Sequence, residues 1–204
     1  MRRLSLAAAV AAMALLCGCV SLFPKEAPAQ LYRFGLTTPL TANTPASSRF
    51  AVQALIIDFN RAAAGDLILT VTGNQAAYIK GARWVSGAST LFEQALASAF
   101  DADQGAARLM ARGEAVRPDA FLKLDVRVFE ARYLQGPGGS PTVVVQVYAA
   151  LSQPADRALM GERIFTASVP ASDNRVGAIA QAFDQAVAQV LGQLVKWVDA
   201  KGAG

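Results

Sequence analysis

The sequence predicts an α+β domain: a mainly antiparallel sheet with two helices packed on one face, preceded by an export signal and a short tether. Three observations carry this expectation. Leu122, Leu124, Val126 and Val128 alternate with Lys123, Asp125 and Arg127. That period of two belongs to a strand with one covered face and one wetter face. Two further apolar runs, 143–151 and 162–169, follow across turn-rich segments, so three consecutive strands form an antiparallel meander. After them Val176, Ile179, Phe183, Val187, Val190, Leu191, Leu194 and Val198 recur at spacings of three and four, while Gln181, Asp184, Gln185, Gln189, Gln193 and Lys196 take the other side. This pattern predicts an amphipathic helix over 174–199, capped by Ser172 or Asp173, with its stripe packed on the sheet.

The N-terminus reads as a processed segment. Arg2 and Arg3 precede an apolar run over 4–16, and Leu16-Cys17-Gly18-Cys19 follows. The run is short for a bilayer span, which needs about 20 apolar residues. Its ending resembles a bacterial lipobox, cut by signal peptidase II after Gly18, with Cys19 taking the lipid on its thiol. Cys17 follows the bulkier Leu16, so Cys19 is the better acceptor. The expected organisation is a signal peptide over 1–18, a lipidated cysteine and tether over 19–30, and one domain over 31–200. The tether contains Pro24 and Pro28. Its ten residues from Ser21 to Gln30 reach at most about 35 Å, which keeps the domain close to the membrane.

The remaining elements follow in order. Residues 31–36 alternate as a first strand, and 37–48 form a loop. Residues 50–57 are an apolar, interior strand, and 58–66 turn back. Residues 67–71 and 75–80 flank Gly73-Asn74 as a hairpin. Arg83-Trp84 leads into a helix with Ser86 as its N-cap and Leu91, Phe92, Ala95, Leu96, Ala99 and Phe100 on its apolar face. Residues 104–112 form a short strand, and the loops 136–141 and 153–157 separate the last three strands.

Composition excludes several function classes. Loss of Arg2 and Arg3 with the signal takes the formal charge from +4 to +2, and no strongly basic block remains to bind nucleic acid. Both cysteines lie in the signal region, so the mature domain has neither thiol nor disulfide and depends on packing alone. The chain has no histidine, which removes histidine triads, metal sites and general bases. It contains no phosphate-binding glycine loop and no Gly-x-Ser-x-Gly elbow. Asp125, Glu130 and Glu162 lie on strands and read as a solvated sheet face or as cross-strand partners of Arg127, Arg132 and Arg163, rather than as an acid–base pair. No catalytic residue, cofactor or metal is expected. Arg83-Trp84 reads first as a packing anchor and second as a ligand platform.

Taken in order, these features resemble the ABC-type transport auxiliary lipoproteins, the outer-membrane partners of MCE-domain lipid-transport systems. The matching features are the lipobox at Cys19, the early strand with Tyr32, Tyr78 ahead of Ala82-Arg83-Trp84-Val85 at the helix start, Phe129-Glu130 at the end of the long strand, and the apolar terminal helix ending near Trp197. The chain departs from the family over 57–64, where it lacks the proline and tyrosine many members carry. The resemblance implies a non-catalytic assembly role, with an MCE-domain protein and an ABC permease and ATPase as partners. It implies a lipid anchor in the outer membrane facing the periplasm. Val20 after the lipidated cysteine agrees, since an Asp there would resemble an inner-membrane retention signal. Tyr78, Arg83, Trp84 and Trp197 are the candidate structural or docking residues, and self-association is open. One rival is a lipid carrier, which would need a deep apolar cavity between helices and sheet. The other is a histidine-free hydrolase, which would need a buried carboxylate pair. Cys19→Ala is expected to abolish incorporation of a fatty-acid analogue and to leave an uncut or mislocalised precursor. Undiminished label on that variant would contradict the lipobox assignment.

Overall fold

The computed structural model describes residues 28–35, 50–103, 105–136 and 138–202. The signal segment, Cys19, most of the tether and the 37–48 loop lie outside the described residues. Nine strands form one sheet: β1 (Gln30–Tyr32), β2 (Phe50–Ala54), β3 (Asp58–Phe59), β4 (Leu67–Thr72), β5 (Gln75–Trp84), β6 (Ala107–Leu109), β7 (Ala120–Arg132), β8 (Thr142–Ser152) and β9 (Leu159–Pro170). Two helices complete the described fold, α1 (Ala88–Ala102) and α2 (Val176–Gly202). The α+β class holds.

The sheet is mixed, and β7 is its spine. Along one side β7 pairs antiparallel with β8, and β8 with β9. Along the other side it pairs in parallel with β2, then β3, then β4. Outside these, β6 lies parallel to β2, β5 antiparallel to β4, and β1 parallel to β5. The three hairpin-linked pairs are antiparallel because a short turn reverses the chain; parallel pairs require a long crossover.

The alternation read in β7 continues only as far as Val126. Ala120, Leu122, Leu124 and Val126 are buried, but Val128 is only half-buried, and the buried residues beyond it are Phe129 and Ala131. The register against β8 shifts between Val126 and Val128, so Arg127 is an extra residue. This β-bulge reverses the parity of the strand and turns Phe129 into the core. A similar excess ends the 50–57 run early. Ala54 pairs with Leu122 and Asp58 with Asp125, which leaves one residue more on this strand than on β7. Leu55 and Ile56 are pushed outward, and Ile56 is 89% exposed.

Both helices cover the same face. Helix α2 lies on β8 and β9 and against α1. Its buried stripe includes Ile179, Phe183, Val187, Val190, Leu191, Leu194 and Val198, as the spacing predicts. Gly87, not Ser86, is the N-cap of α1, and no side chain caps it. The Ser89 hydroxyl instead donates to the Ala64 carbonyl, 3.2 Å away. Asp173 accepts the Arg175 backbone N–H at 2.7 Å, ahead of the first turn of α2.

The core is centred on aromatic rings. Phe129 sits 4.9 Å from Phe183, 5.2 Å from Phe34 and 5.4 Å from Phe59, centroid to centroid. Trp84 packs edge-on against Phe34 at 5.0 Å and Phe183 at 5.2 Å. Offset and edge-on geometries of this kind add to the burial of area itself. Phe183 is fully buried, so Phe183→Ala is expected to destabilise the protein by about 3–5 kcal/mol, the usual cost of emptying a large aromatic site. Denaturant unfolding of the variant checks this.

Candidate functional site

The sequence candidates separate into a buried and an exposed set. Trp84, at the end of β5, is 2% exposed and belongs to the aromatic core. It therefore offers no ring face to a ligand. Arg83, beside it in the strand, points the opposite way, as alternation requires. It pairs with Asp66 at 2.9 Å, with both side chains about half exposed. Tyr78 is 46% exposed, and its hydroxyl donates to the Ala62 carbonyl at 3.0 Å. Arg83 and Tyr78 thus tie β5 to the 60–66 turn. Trp197, on α2, stands edge-on to Phe165 of β9 at 5.7 Å. The structure brings Arg83 and Tyr78 to one turn but leaves Trp197 on a different part of the sheet. Cys19 lies outside the described residues.

The carboxylates do not converge. Asp125 pairs with Arg127 at 2.8 Å and Glu130 with Arg132 at 2.7 Å. These are neighbours two apart on one strand, not the cross-strand pairs the sequence suggests, because positions i and i+2 share a face. Glu162 accepts the Tyr148 hydroxyl across the β8–β9 ladder instead of pairing with Arg163. That bond, followed by burial, raises the Tyr148 phenol above its ordinary range. The Arg127 guanidinium stacks on the Tyr148 ring, 4.5 Å from its centroid. No group of three potential metal ligands occurs among the described residues.

The ion pair of Arg108 and Glu114 was not read from the sequence. Arg108 on β6 grips Glu114 with two hydrogen bonds, at 3.0 and 2.7 Å. These bonds hold Glu114 below the ordinary carboxylate range, against the opposing effect of burial. The pair fixes the 110–114 turn, where Glu114 also accepts the Ala111 N–H. Only the six-residue spacing of Arg108 and Glu114 hints at it in the sequence.

An apolar groove runs between α1 and α2, not between helices and sheet. Its lining includes Ala95, Ala99, Ala188, Leu191 and Gly192, with Asp184 and Lys196 also present, and its volume is about 260 Å³. Small-molecule pockets usually measure about 300–1,000 Å³. Beneath the helices the space is occupied by the aromatic core.

The sequence model of a family described as ABC-type transport auxiliary lipoprotein component matches residues 32–195. The chain belongs to this family. The match covers α1, every strand from β2 to β9 and α2 as far as residue 195. A crystal structure of a DUF330-family protein from Xanthomonas campestris is similar to this auxiliary lipoprotein over 86% of this chain and 97% of its own, with a TM-score of 0.71 and 27% identity. An uncharacterised protein of known structure gives a TM-score of 0.66 at 15% identity, over 84% of this chain and 99% of its own. A hypothetical protein from Chlamydia trachomatis gives 0.52 at 7% identity, over 76% and 98%. The last two show a shared fold alone. No curated protein matches the sequence. No helix among the described residues is long and apolar enough to cross a membrane.

Neighbouring residues of β5 should respond oppositely to substitution. Trp84→Ala is expected to cost about 3–5 kcal/mol. Arg83→Gln removes an exposed pair worth at most about 1 kcal/mol. Chemical denaturation of both variants checks the contrast, and a large loss for Arg83→Gln would contradict the surface placement.

Proposed function

We propose that this auxiliary lipoprotein is held through Cys19 in the outer membrane, facing the periplasm, and serves as a non-catalytic component of an ABC/MCE lipid-transport system. An MCE-domain protein, a permease and an ATPase are its partners in this reading, and ATP hydrolysis belongs to another subunit. The lipid holds the domain at the leaflet, where it docks the end of the transport assembly. The observation that carries the reading is the state of the interior. The space between sheet and helices is packed with side chains, and the carboxylates singled out in the sequence are spent on surface pairs. Such a body supports a scaffold more readily than a hydrolase or a lipid carrier. The family match supports the transport association, and Val20 after the cysteine supports sorting to the outer membrane.

Asp125→Asn, Glu130→Gln and Glu162→Gln, made singly, are expected to leave complementation of a deletion strain under detergent stress nearly intact. An exported form without the lipid is expected to lose it, because the domain is no longer concentrated at its membrane. Loss of complementation by one folded, membrane-bound amide variant would overturn the non-catalytic reading. Full complementation by the unlipidated form would overturn the tethered-docking mechanism.

A further inference from the structure

The tether enters the fold at one edge of the sheet. Among the described residues β1 is the first strand and pairs with β5 alone, while β9 forms an edge beyond β8. In parallel register Leu31 lies opposite Arg83, and the Val85 N–H donates to the Tyr32 carbonyl at 2.7 Å. Alternation therefore places Leu31 and Arg33 of one chain segment beside Arg83 and Val85 of the other, all on the face away from the helices. Their neighbours Phe34, Ala82 and Trp84 are buried on the opposite face. Leu31 is 63% exposed and Val85 53% exposed. Arg33 is exposed and makes no ion pair among the described residues, while Arg83 shares its charge with Asp66. Two apolar side chains and two guanidinium groups thus project together, immediately after the tether.

We propose that this β1–β5 patch rests on the anionic phospholipid surface of the membrane that holds the lipid anchor, and so fixes how the domain faces that membrane. The inference rests on the reading that Cys19 is the anchor. Its geometric support is the reach of the chain. Ten tether residues extend at most about 35 Å, and a domain of this size is roughly 40 Å across. The tether thus keeps the β1 edge within about 35 Å of the membrane, less than the width of the domain, which favours an orientation with this edge towards the lipid. Arginine and exposed aliphatic side chains suit that place: the cations meet phosphate groups, and the apolar chains enter the headgroup boundary. The acyl chains supply the anchoring, and the patch supplies the orientation.

Beyond Cys17 and Cys19 the chain has no cysteine, so Leu31→Cys or Val85→Cys gives the acylated mature protein one free thiol. Each variant, and Ser168→Cys on the exposed side of β9 as a control, is labelled with an environment-sensitive dye. The full acylated proteins are then reconstituted in vesicles of phosphatidylethanolamine and phosphatidylglycerol with nitroxide-labelled headgroups. The expected result is a blue shift and severalfold quenching at positions 31 and 85, and neither at 168. Equal behaviour at the three positions overturns the proposal. Shielding of positions 31 and 85 in cells but not in vesicles assigns the patch to a protein and overturns it too. Intact mass of the same preparations separates the two readings. Missing acyl mass overturns the Cys19 anchor and the inference together, whereas acylated protein with unquenched dyes overturns the inference alone.

Discussion

The rings of Phe34, Trp84, Phe129 and Phe183 meet at one point, and most of the fold is arranged so that they can. Phe34 follows β1, Trp84 ends β5, Phe129 lies in β7, and Phe183 comes from α2. A domain with no cysteine after Cys19 has no disulfide within it and draws its cohesion from such contacts. Phe129 reaches the cluster only because Arg127 is an extra residue in β7. Without that bulge the strand would present Val128 and Glu130 inward, and a carboxylate would be placed in an apolar core. The same displacement leaves Arg127 outside, stacked on Tyr148.

This core also limits what the protein can do. A space filled by aromatic rings does not hold an acyl chain, and the helix–helix groove above it is small. Charged groups lie on the surface: paired carboxylates and arginines on the open sheet face, and the arginines of the β1–β5 edge. A rigid body whose useful features lie on its exterior suits an auxiliary component, which acts through position and contact. The family match over 32–195 covers this body, while Cys19, the proposed anchor, lies before it.

Local patterns were legible in the sequence, and long-range pairings were not. The stripe of α2 and the alternation of Leu122, Leu124 and Val126 follow from periods of 3.6 and 2, which single side chains reveal. The hairpins β4–β5, β7–β8 and β8–β9 follow from turn residues between adjacent runs. The parallel pairs of β7 with β2, β3 and β4 leave no such mark, because their partners are separated by tens of residues. The bulge at Arg127 was hidden because Arg127 and Val128 continue the alternation. Ser86 is a good capping residue by type, but the chain begins α1 one residue later at Gly87. For the candidate site, Trp84 was recognisable as an anchor from its position before a helix. The meeting of Leu31 with Val85 depends on the β1–β5 pairing and could not be read from either segment alone.

The central claim is that the domain works as a membrane-held part of a transporter rather than alone. Its most direct test is isolation of the full acylated protein from detergent-solubilised envelopes, with identification and stoichiometry of what remains bound. The account predicts recovery of an ATPase, a permease and an MCE-domain protein in fixed proportion, retained when surface carboxylates are neutralised. Recovery of the intact, acylated protein with no transport component bound, while its function in the envelope persists, would contradict it.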